Sequence, residues 1–240
     1  MSASLEAGAT SGDREKLDLR KQYKYLYSPS ARKIEVVDVP RLSFARVDGA
    51  VPTGLGPGDS PDFQEAVAAL YGLSYTLKFM IKKRPGNPID YPVMWLEGLW
   101  MTESGSYSYN TTTREAMTYT AMILQPEFIT PELFEEARAQ LQRKKPGPGP
   151  ARVRLEPFHE GLSLQVMHIG PYATEPETVA RLRVFAAEQG YTTHGRHHEI
   201  YLSDPLKTAP ERMRTILRHP VRRVSDEKGL VGSGTVGEGR

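Results

Sequence analysis

Two short segments carry a glutamate inside an apolar, aromatic run: Trp95-Leu96-Glu97-Gly98-Leu99-Trp100 and His197-His198-Glu199-Ile200-Tyr201-Leu202. Side chains alternate along a strand, so Trp95, Glu97 and Leu99 share one face of the first run, and His197, Glu199 and Tyr201 share one face of the second. A carboxylate held among rings and away from water is unfavourable unless it is partnered. It shows a raised pKa or awaits a cationic or hydrogen-bonding ligand. Each glutamate is therefore a candidate functional residue, and the competing reading sets it on the solvent face of a half-exposed strand.

Aromatic residues collect around these runs. Tyr71 and Tyr75 are spaced i, i+4 and so lie on one face of a helix, while Trp100, Tyr107, Tyr109 and Tyr119 fall in or between the strands that follow. Met122 and Met167 add soft, adaptable walls. Taken singly each reads as core; together they describe a pocket for a planar hydrophobic ligand. His197 and His198 are neighbours, so on a strand they point to opposite faces, and with His194 they make a poor zinc set. There is no G-x-S-x-G elbow, no phosphate loop and no dinucleotide fingerprint, and neither a metal nor a cofactor is expected.

The elements that must hold these residues repeat. In the first half Leu42 to Asp48 reads as a strand, Phe63 to Met80 as a helix, and Val93 to Met101 and Met117 to Ile123 as strands. In the second half Leu162 to Ile169 reads as a strand, Glu175 to Gln189 as a helix, and His198 to Ser203 and Met213 to His219 as strands. The expected fold is α+β: a β-α-β-β unit used twice, related by a pseudo-twofold, with an antiparallel sheet and helices packed on it. The repeat sets Glu97 and Glu199 in corresponding places. A further helix, Pro131 to Arg143 with Thr130 as its cap, leads into Pro146-Gly147-Pro148-Gly149-Pro150, a linker no helix or central strand can run through. Repeat one is expected over about 33–126, the connection over 130–150 and repeat two over 151–224, with disordered tails at 1–16 and 225–240.

The chain of 240 residues has 39% hydrophobic and 25% charged residues, a net charge of +2 and no cysteine. That excludes disulfides, thiolate metal sites and a cysteine nucleophile. No stretch approaches the roughly 20 apolar residues that cross a bilayer. Met1 to Lys16 is polar, so a cytoplasmic protein is expected, one that touches neither membrane nor nucleic acid and is a monomer or a weak dimer.

The segments Leu70-Tyr71-Gly72-Leu73-Ser74-Tyr75-Thr76-Leu77-Lys78, Leu96-Glu97-Gly98-Leu99-Trp100, Gln125-Pro126-Glu127-Phe128, Met167-His168-Ile169-Gly170-Pro171-Tyr172 and His197 to Pro205, in this order, resemble the GyrI-like small-molecule-binding domains. They are most similar to the stand-alone branch that includes cyclopropanoid cyclopropyl hydrolases. The resemblance implies a duplicated β-α-β-β fold, no cofactor, and an acidic residue that meets the ligand in an aromatic pocket. Carried onto this sequence, that residue is Glu199, with Glu97 as its repeat counterpart. It also implies addition of water to the strained ring of DNA-alkylating natural products resembling yatakemycin, which disarms them. Glu199, Glu97 and Tyr75 are then the catalytic candidates. Tyr71, Trp95, Trp100, Tyr119, Met122, Met167, His168 and Tyr172 are the substrate-binding ones. Met101 stands where some relatives carry a second tryptophan. The alternative reading is a non-catalytic protein that sequesters a drug or inhibits a partner in the manner of a gyrase inhibitor.

Overall fold

The computed structural model describes residues 15–105 and 115–224; Tyr107 and Tyr109 lie outside them. In chain order the principal elements begin with β1 (Glu15–Lys16), α1 (Leu19–Gln22), α2 (Lys24–Tyr27), β2 (Glu35–Val51) and α3 (Pro61–Lys83). Then come β3 (Ile89–Asp90), β4 (Leu96–Thr102), β5 (Met117–Leu124), α4 (Pro131–Lys144) and α5 (Gly149–Arg152). The second half supplies β6 (Arg154–Ile169), α6 (Glu175–Glu188), β7 (Tyr191–Thr193), β8 (His197–Tyr201) and β9 (Arg214–Arg223).

Six strands pair antiparallel in the order β6-β2-β5-β4-β8-β9, and β9 pairs back onto β6, so the sheet closes on itself. Each repeat adds its strands in the same pattern, β2-β5-β4 and β6-β9-β8, and like joins like at both seams, β4 to β8 and β2 to β6. That is the pairing a pseudo-twofold demands. The long β2 and β6 ladder lapses where Pro40 faces Glu160, because proline has no N–H to give.

Local signals set the helices. Ser60 caps α3 by accepting from the Phe63 amide, Pro61 opens its first turn, and Lys82 and Lys83 close its last. Ala66, Leu70, Leu73, Leu77 and Ile81 form its buried stripe, where each leucine contributes about 1.5–3 kcal/mol by leaving water. Thr130 caps α4 by accepting from the Leu133 amide, as expected. The Pro/Gly connection does not stand off the body: Gly149 and Pro150 are buried, and a Cβ on Gly149 would lie 3.2 Å from Glu65 and 3.3 Å from Ala69 of α3. Among the described residues no helix is long and apolar enough to cross a membrane.

Candidate functional site

Residues directly opposite one another in an antiparallel ladder share a face. Gly98 faces Glu199 across the β4–β8 seam, and Glu97 faces Ile200. The two glutamates therefore point to opposite sides of the sheet, which corrects the expectation that they occupy corresponding places. The strands are aligned one residue away from the motif alignment, so the seam relates Gly98 to Glu199 and brings Glu97 against His198.

On the inner side Glu97 is part of a closed ionic network. Its carboxylate accepts from the Tyr27 hydroxyl at 2.7 Å and from His198 Nε2 at 3.0 Å. His198 Nδ1 donates to Glu160 at 3.0 Å, and Arg218 reaches the same carboxylate at 3.2 Å. Arg218 also donates to Gln165 and to the Leu26 carbonyl, tying the N-terminal helices to the sheet. Burial opposes every charge here, but the neighbours outweigh it: His198 and Arg218 draw Glu160 down to about 2, and Glu160 and Glu97 raise His198 to about 9. Both His198 ring nitrogens are thus donors, and each polar partner is satisfied. Glu97 sits here as a structural carboxylate, and Met122 and Met167 lie on the same side by register, Met122 opposite Glu97 and Met167 opposite Ile216.

On the helix side stands a second polar group. Trp100 Nε1 donates to the Tyr201 hydroxyl at 2.8 Å, and Tyr201 donates to Glu199 Oε2 at 2.7 Å. His197 Nε2 stands 3.3 Å from Glu199 Oε1 and is kept neutral by burial. Burial, then the Glu199 charge, holds the Tyr201 hydroxyl well above its ordinary pKa, so it remains a donor. Glu175, at the start of α6, is buried with Oε1 lacking a partner; burial and then the Glu199 charge push its pKa far up, so it keeps its proton at neutral pH. A protonated carboxyl beside the Glu199 carboxylate is the kind of pair that can supply an acid and a base to one reaction.

Of the sequence candidates, Glu199, Trp100, Tyr119, Tyr172, His168 and Tyr71 gather on this side. Tyr172 packs edge-on to Tyr201 at 6.0 Å, Trp100 lies 5.8 Å from Tyr119, and the Tyr71 hydroxyl is bonded by the Leu96 amide. His168 is anchored by Thr178 of α6 at 2.9 Å. Tyr75 is half exposed on α3, stacked between Tyr71 and Phe79 rather than on Glu199. Trp95 packs on Tyr27 with Arg20 over its ring, away from this group. Sequence reasoning missed Glu175, which reads as an ordinary acid in a helix first turn, and it gave Tyr201 no role beyond sharing the Glu199 face.

A Cβ on Gly98 would sit 2.6 Å from Trp100 Nε1 and 3.2 Å from the Tyr201 hydroxyl. Gly98→Ala is expected to break the Trp100–Tyr201 bond, seen as a shift in tryptophan fluorescence, and to lower activity by about 10- to 100-fold; an unchanged spectrum and rate would exclude that role. Glu175 has the opposite sign to a paired carboxylate. Its folded pKa lies above the ordinary 4.5, so the fold is fully stable with respect to it below that pH and loses stability as pH rises toward the folded value. Glu175→Gln should therefore raise the melting temperature at about pH 8.5 and change it little at about pH 4.5; equal shifts at both would refute the buried proton.

A closed antiparallel sheet with helices outside, and an acidic residue among rings on its helix side, is the α+β architecture of this chain. The chain belongs to the GyrI-like small molecule binding domain family, whose model matches residues 77–222. It is similar to a hydrolase from Listeria innocua, with 36% identity and a TM-score of 0.77 over 87% of this chain and 100% of that one. It is also similar to an uncharacterized conserved protein from the same organism, with 38% identity and a TM-score of 0.76 over 86% of this chain and 100% of that one. Comparison with curated proteins gave no match.

Proposed function

We propose that the protein is a hydrolase that adds water to the cyclopropane ring of DNA-alkylating small molecules and so disarms them. The observation that carries this is the Trp100–Tyr201–Glu199 chain facing a protonated Glu175. Glu199 takes a proton from water, the water oxygen bonds to the ring methylene, and the strained carbon–carbon bond breaks. Its electron pair flows into the conjugated dienone, whose carbonyl oxygen becomes a phenolate and then, on protonation, a phenol. Glu175 is the group suited to donate to that oxygen as charge grows on it. Trp100, Tyr119 and Tyr172 supply flat walls for the planar body. The likeness to a Listeria innocua hydrolase at 36% identity supports hydrolysis, and the ring-opening chemistry comes from the family resemblance.

The test is incubation of the protein with an excess of a cyclopropane-bearing alkylator, following product mass by liquid chromatography. Product gaining one water, in amounts well beyond one per protein, supports the hydrolase. Ligand recovered intact and in stoichiometric complex would replace it with a sequestering protein.

A further inference from the structure

A cleft of about 450 Å³ opens among Arg46, Asp48, Leu99, Thr120, Glu160 and Arg196. Leu99 faces His198 across the β4–β8 seam, so the cleft lies on the Glu97 side of the sheet, away from Glu199. Its acids are already engaged. Asp48 meets Arg154 at 2.6 Å and accepts from the Thr120 hydroxyl, and Glu160 is held by His198 and Arg218.

Its arginines are not engaged to the same degree. Arg196 Nη1 donates to the Thr120 hydroxyl at 2.8 Å, a neutral acceptor, and no carboxylate pairs with it among the described residues. Arg46 has one ion pair, to Glu156 at 3.4 Å, and its Nε is buried with no hydrogen-bond partner among the described residues. A buried guanidinium N–H without an acceptor is unfavourable and is relieved by an anion that reaches it. The remaining wall is apolar: Phe158, with the Arg46 guanidinium 5.5 Å over its ring, and Pro220.

We propose that this cleft is a second binding site, for a small aromatic carboxylate. The carboxylate is received by Arg46 and Arg196, and the ring rests on Leu99, Phe158 and Pro220. Asp48 and Glu160 disfavour ligands with a second negative charge. The site is independent of the chemistry assigned to Glu199.

Calorimetric titration of the full chain with naphthoate, and with neutral naphthamide, tests it. Naphthoate should bind one to one and naphthamide at least about tenfold more weakly. Arg196→Gln, and separately Arg46→Lys, which keeps the charge but removes Nε, should each weaken naphthoate by about tenfold with the melting temperature retained. Glu199→Gln should leave naphthoate binding unchanged. Absent naphthoate binding, equal binding of naphthamide, or loss in Glu199→Gln with none in Arg196→Gln would overturn the proposal.

Discussion

Glu199→Gln is expected to keep the fold and lower turnover of a cyclopropane-bearing substrate by about 10²–10⁴-fold. The amide oxygen still accepts the Tyr201 hydroxyl, which in the native protein donates at 2.7 Å, so the local packing survives while the proton acceptor is lost. Tyr201→Phe is a milder change. It frees one Glu199 oxygen and leaves the Trp100 N–H without its acceptor. Near-normal turnover in Glu199→Gln, measured on protein whose circular dichroism matches the native, would remove Glu199 from the mechanism.

Arg218→Ala is expected to have the largest effect on stability, about 3–5 kcal/mol, because it strips a buried carboxylate of a charged partner. Arg218 is 2% exposed and serves Glu160, Gln165 and the Leu26 carbonyl at once. The network also fixes a pH window. Glu160, depressed to about 2, stabilises the fold above its ordinary 4.5 and loses that contribution as pH falls toward 2. His198, raised to about 9, stabilises it fully below its ordinary 6.5 and loses that contribution as pH rises through 9. Between them the network contributes most from about pH 4.5 to 6.5. An unfolding free energy for Arg218→Ala, from denaturant titration, within about 1 kcal/mol of native would show that the network is not a keystone.

The β-α-β-β order was legible because apolar periodicity changes from two to 3.6 residues between elements, and Ser60 and Thr130 mark the starts of α3 and α4, whereas α6 begins without a side-chain cap. Strand lengths were less so: β2 begins at Glu35 and β6 at Arg154, several residues before the apolar patterns that mark them. The alignment of the seam was not legible. The matching of Leu96-Glu97-Gly98 with His198-Glu199-Ile200 rests on residue identity, whereas the ladder follows backbone hydrogen bonds and places Gly98, not Glu97, beside Glu199. A shift of one residue exchanges the faces. It moved Glu97 and Met122 out of the site, and Met167 belongs with them. The partners Tyr27, Glu160 and Arg218 come from elements 38 to 192 residues apart in the chain, a separation no local pattern encodes.

The most direct measurement is to run the reaction in water enriched in heavy oxygen and locate the label in the product. Addition of water at the Glu199 site predicts one heavy oxygen on the former ring methylene in every product molecule, accumulating over many turnovers. Product without the label, or ligand released unchanged after binding, would contradict it.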